Sequence, residues 1–190
     1  MDSRASIIAD LRAHIDRVAP MRAPSEVAPT GIPALDAHLG GWPQPGIVLV
    51  HGPVGSGRFR VVLPTLQKHT SAEQTVAVVD PIGWLHPPGL PGVNLQHLML
   101  IRCGNPQADW ATAQIAASGA VPIVILLDPP PMSRRAARLI RASEVGQSTV
   151  IVIGERLEPH LTPQVRLRCL GNNTVQIERG SPNQPTIKIG

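Results

Sequence analysis

Two spacings of apolar residues divide this chain. Ile7, Ile8, Leu11, Ile15 and Val18 fall three and four apart, the stripe of one helical face, with Asp2 or Ser3 as N-cap and Pro20 as stop. From residue 47 onward the pattern changes to short apolar runs bounded by turn residues, which predicts strands over 47–51, 75–80, 98–102, 121–127 and 149–153. The run 121–127 is apolar throughout and ends at Asp128 and three prolines, as a central parallel strand covered on both faces would. Helical patterns alternate with these strands. One is predicted over 57–68, kinked at Pro64; one runs from an Asp109 cap to Ser118; one starts at Ser133 and carries Arg134, Arg135, Arg138 and Arg141. The segments 165–169, 174–179 and 186–189 alternate between turn signals and predict an antiparallel meander. The fold class is therefore α/β: a central, mainly parallel sheet flanked by helices, with a C-terminal antiparallel β extension and any ligand at the carboxyl ends of the strands.

The Pro-rich stretch 20–29 separates the first helix from the rest, giving a helix and linker over 1–29 and a core domain over 30–190. The apolar face of that helix packs either on its own core or on another protein, including a second copy of this chain. With 190 residues, 43% of them hydrophobic, the chain suffices for one real core. No run reaches membrane-spanning length and the N-terminus lacks a signal-peptide core, so the expectation is a cytoplasmic protein without membrane contact. Cys103 and Cys169 show no metal spacing, nor do the seven histidines, so no metal is expected. Residues 1–100 hold seven bases and seven acids, whereas residues 101–190 hold ten and six, so the whole net charge of +4 is C-terminal. That bias suits nucleic acid, an acidic protein or plain solvation. With no Tyr and one Phe, stacking platforms for bases are nearly absent.

The chemistry concentrates after the first strand of the core, in Gly52-Pro53-Val54-Gly55-Ser56-Gly57-Arg58-Phe59. A phosphate-binding loop needs glycines so that backbone N–H groups can curl round phosphates, then Lys for the β/γ-phosphates and Ser or Thr for Mg²⁺. Gly52, Gly55, Ser56 and Gly57 keep that spacing. Arg58 replaces the compact ammonium with a planar fork, and Phe59 offers no oxygen to a hard cation. Asp128, at the end of its strand, is read as a cap or hydrogen-bond acceptor rather than a metal ligand. No catalytic residue and no cofactor are expected from this remnant, ATP included. Residues 134, 138 and 141 share one helical face, so Arg134, Arg138 and Arg141 present three guanidiniums to a partner, to DNA or to water.

These residues resemble the RecA-like recombinase core, and within it the shortened, RecA-related mutagenesis proteins called ImuA. Thr30-Gly31-Ile32-Pro33-Ala34-Leu35-Asp36, the Gly-rich turn 40–46, the loop at Gly52, Val78-Val79-Asp80 and Ala117-Ser118-Gly119-Ala120-Val121 leading to Asp128 follow RecA's order from residue 30 to the end. The resemblance implies a fold and also marks departures. Ile82 stands where RecA has its catalytic Glu, Gly154-Glu155 stands where the family has a glutamine sensor, and 129–133 and 156–162 leave little room for two DNA-binding loops. It implies a non-catalytic accessory protein of damage-induced (SOS) mutagenesis and translesion DNA synthesis, whose partners are subunits of a translesion polymerase complex or RecA, with weak sequence-independent DNA contact. Two rivals are an atypical P-loop ATPase using Arg58 on phosphate and a cell-division inhibitor of the SulA kind.

Overall fold

The computed structural model describes residues 26–131, 135–158 and 160–189. The helix expected over 7–18, with Ile7, Ile8, Leu11 and Ile15, lies outside the described residues, as does Arg134.

Ten strands and four α-helices follow one another among the described residues. After β1 (Glu26–Ala28), α1 (Pro33–Leu39) and β2 (Trp42–Gln44) come β3 (Gly46–His51), α2 (Arg58–Ser71), β4 (Val76–Asp80), β5 (Leu98–Arg102), α3 (Asn105–Ala117), β6 (Ile123–Leu127), α4 (Ala136–Gly146) and β7 (Thr149–Gly154). The chain closes with β8 (Val165–Gly171), β9 (Thr174–Arg179) and β10 (Thr186–Lys188). Eight strands form one sheet in the order β10-β9-β8-β3-β7-β6-β4-β5, parallel from β8 to β5 and antiparallel at β9 and β10. The expected α/β class with its antiparallel C-terminal extension is the fold observed.

Successive strand side chains point to opposite faces, so each strand feeds two cores. Val48 and Val50 of β3 pack on one face with Leu35 of α1 and Val61, Val62 and Leu66 of α2. Ile47 and Leu49 pack on the other with Ala108, Ala113 and Ala116 of α3 and Leu139 and Ala142 of α4. The β6 run is buried throughout, which is why its sequence shows no alternation.

Four local readings change. The stretch read as linker contains β1, which pairs antiparallel with β2; three residues carry too little periodicity to announce a strand. β8 opens the antiparallel meander by pairing with β9 and also lies parallel to β3, so it joins the extension to the parallel sheet. Its alternation of buried Val165, Leu167 and Cys169 with more open Arg166, Arg168 and Leu170 reflects one solvated face, which an antiparallel strand would share. α2 keeps Pro64 inside it, as expected, and runs past residue 68 to Ser71, with Val61, Val62, Leu66 and Thr70 on either side of the proline buried. Asp109 is not a cap: α3 starts at Asn105 with Pro106 in its first turn, and Asp109 is a buried residue within it.

A polar chain ties the opening segment 30–36 to α2. Trp42, fully buried, donates its indole N–H to Thr65 Oγ1 at 3.0 Å, Thr65 donates to the Thr30 carbonyl at 2.6 Å, and the Thr30 amide donates to Asp36 Oδ1 at 2.9 Å. Among the described residues no helix is long and apolar enough to cross a membrane.

The helices α3 and α4 meet where Gly146 leaves no space: a Cβ there would lie 1.8 Å from the Ala116 carbonyl oxygen. Gly146→Ala should therefore force the two helices apart and cost about 3 kcal/mol. The measurement is the urea unfolding midpoint; a midpoint equal to that of the parent chain would show that this contact yields freely.

Candidate functional site: the remnant phosphate loop

β3 delivers the chain to the loop at the carboxyl edge of the sheet, and α2 begins immediately after it. Gly52 has to be glycine because a Cβ would lie 2.6 Å from the Cys169 carbonyl of β8 and 2.8 Å from Ser56 Oγ. Ser56 is turned to this inner side, and its hydroxyl is buried with no hydrogen-bond partner. Gly57 is the N-cap of α2 in the left-handed region, φ 88°, and brings no side-chain hydrogen bond to the first turn. The helix N-terminus thus keeps the free N–H groups and positive dipole end that anion-binding loops exploit, with no acidic residue in its first turn.

The residue that follows changes the chemistry. Arg58 Nη1 donates to Asp128 Oδ1 at 2.6 Å, across from α2 to the end of β6, with side chains 11% and 22% exposed. Asp128 has φ 35°, a conformation rare for a non-glycine residue, and its amide donates to the Ile153 carbonyl of β7 at 2.7 Å. One bond therefore joins the residue that follows the glycines of the loop to the carboxylate at the end of β6. Asp128 acts here as the acceptor that its sequence position suggested.

Phe59, where a metal-binding hydroxyl would stand, meets Trp84 edge to face with ring centroids 5.7 Å apart and 78° between planes. Trp84 and Ile82 lie on the loop after β4, and Asp80 shapes that loop. Buried at the end of β4, Asp80 accepts from the Gly83 amide at 2.8 Å and from the Leu85 amide at 2.9 Å. Ile82, in place of an acid, is 59% exposed. Val54, Gly55, Gly57, Arg58, Phe59, Ile82, Trp84, Asp128 and Ile153 line one cavity of about 430 Å³.

The expected site residues are thus only partly gathered. Gly55, Gly57, Arg58, Phe59 and Asp128 share the cavity, whereas Gly52 and Ser56 form its inner support. Arg138 and Arg141 stand apart on α4, exposed and one turn from each other. Beside them Arg135 reaches the buried Asp109 of α3 at 3.5 Å, so one arginine of that run anchors the helix to its neighbour. Val54, Trp84 and Ile153 were missed as site residues because only the Asp80 hydrogen bonds and the parallel register bring them together. Among the described residues no group of His, Cys, Asp and Glu could hold a metal ion.

Burial pushes the Cys169 thiol up to about 11, with Arg58 pulling the other way, and the Cys103 thiol is raised by burial and then by Asp80. Iodoacetamide near neutral pH should therefore alkylate half-buried Cys103 well before buried Cys169, read by mass spectrometry of the native protein. The folded state keeps the Cys169 proton after the unfolded chain has lost it. Its contribution to stability is thus intact below the ordinary value of 9.0 and falls as pH rises toward about 11. Melting temperatures across that window should decline less in Cys169→Val. For the ion pair, a double-mutant cycle of Arg58→Ala and Asp128→Ala should give a coupling of about 1–2 kcal/mol, above an exposed pair and below a fully buried one. Additive single effects would show that the two charges are independent.

No family model matches the chain. RecA of Streptomyces avermitilis and RecA of Streptomyces coelicolor are each 34% identical to it over 108 residues, covering 54% of this chain and 29% of the relative. RecA of Streptomyces ambofaciens is 33% identical over the same length. The chain therefore matches less than a third of the length of these relatives. The crystal structure of the RadB recombinase superposes on 84% of this chain and 92% of its own, with a TM-score of 0.64 and 19% identity. The parallel order β5-β4-β6-β7-β3-β8 and these two likenesses together show that the chain has the RecA-like α/β fold.

Proposed function

We propose that this chain is a non-catalytic accessory protein built on the RecA-like core, acting through protein contacts in damage-induced (SOS) mutagenesis and translesion DNA synthesis. The observation that carries the reading is the Arg58–Asp128 ion pair at 2.6 Å. The cation-binding carboxylate and the phosphate-binding cation neutralise each other, Phe59 supplies no oxygen for Mg²⁺, and Ile82 supplies no base to activate water. The segments 30–36, 52–59 and 117–128 follow RecA's order, and the pathway comes from the further resemblance of the chain to the ImuA-type proteins. Its partners on this reading are subunits of a translesion polymerase complex or RecA. DNA contact through Arg138 and Arg141 is weak and blind to sequence, with only a shallow loss on adding salt, since two guanidiniums release few counterions.

Calorimetric titration of the whole chain with ATP·Mg²⁺ at millimolar concentration should be flat, and no phosphate should be released. Arg58→Lys combined with Phe59→Thr should restore measurable binding without turnover, because Ile82 still leaves no general base. Saturable binding of ATP by the parent chain would overturn the non-nucleotide reading, and turnover lost in Asp128→Ala would establish an ATPase in its place.

A further inference from the structure

The cavity beside the loop has walls of Phe59, Trp84, Ile82, Val54 and Ile153. Its two charged groups, Arg58 and Asp128, are engaged with each other. A floor neutralised in this way offers little to a phosphate, whereas the apolar walls gain from covering by any group that excludes water. The volume of about 430 Å³ falls within the range of binding pockets. Val54, Ile82 and Trp84 are 77%, 59% and 46% exposed, so all three stand at the mouth. A molecule small enough to sit wholly inside would leave these side chains wet. A polypeptide crossing the mouth while inserting one side chain covers them, in the manner of an anchor residue and its surrounding ring.

Charge at the mouth adds a second requirement. Arg102, exposed at the end of β5, donates to the Leu85 carbonyl at 2.9 Å, one residue from Trp84. No acid pairs with it among the described residues. Asp80, the register partner of Arg102 on β4, is buried and its two oxygens accept from the Gly83 and Leu85 amides, so an approaching segment meets the guanidinium.

We propose that this cavity is a docking pocket for a protein partner whose segment inserts one bulky apolar side chain and places an acidic residue against Arg102. The proposal deepens the non-nucleotide reading of the loop and rests on it. It assigns to Ile82, Trp84 and Arg102 the recognition of a partner.

Fluorescence anisotropy of the full chain with three labelled peptides tests it, each peptide holding a Leu-Trp pair flanked by Asp, by Gly or by Lys. The Asp-flanked peptide should saturate at micromolar concentration and bind about tenfold tighter than the Lys-flanked one. Ile82→Asp should weaken all three about tenfold or more with an unchanged melting temperature, since the side chain is exposed. Arg102→Gln should narrow the gap between the acidic and basic peptides, and Trp110→Ala, on α3, should change nothing. The proposal is overturned if none of the peptides saturates, if Ile82→Asp titrates like the parent, or if free indole binds as well as the peptides. Binding of ATP in a parallel titration would bring down the non-nucleotide reading itself; flat ATP and flat peptide titrations together would remove only the docking pocket.

Discussion

A guanidinium at the first turn of a helix is placed against the helix dipole, and a carboxylate in a left-handed backbone conformation carries strain. Arg58 and Asp128 are each poorly placed alone and become reasonable as a pair. The bond between them spans the gap that separates α2 from the end of β6, and Asp128 is tied in turn to β7 through its amide. Three elements at the carboxyl edge of the sheet are thereby joined. The rest of the site depends on this closure, because once the charges are mutually satisfied the space beside them can be walled with Phe59, Trp84 and Ile82 at no electrostatic cost.

The sequence revealed most where burial was complete. The apolar run of β6 and the glycine spacing after β3 were legible because each reports a local constraint: two covered faces in one case, close backbone approach in the other. The exchange of lysine and hydroxyl for Arg58 and Phe59 was legible for the same reason. What Arg58 does was not, since its partner lies seventy residues away and no local pattern records a bond between them. The cavity was hidden likewise. Ile82 and Trp84 sit in a stretch rich in proline and glycine that reads as a plain loop, and its hydrogen bonds with Asp80 and Arg102 hold it where Trp84 meets Phe59.

The errors share a physical origin. Short elements such as β1 have too few residues for periodicity to show, and they form because Trp42 and Thr65 hold the neighbouring chain in place. Asp109 looked like a cap because Asp is good at capping, yet tertiary pairing with Arg135 used the charge elsewhere. The helix through Pro64 was placed three residues short, because a proline costs a hydrogen bond while the burial on both sides that outweighs it is not visible in the sequence.

The division of labour at Asp80 reaches further than the shape of one loop. This residue lies in the core, touches no cavity wall and fixes the backbone from behind, so the residues at the mouth are free of any duty in holding their own loop. Exchanging Ile82 or Val54 for other side chains would redraw the outline of the cavity while the frame stays put. Shape at the mouth and stability of the loop are thus set by different residues, the first by exposed side chains and the second by a buried carboxylate.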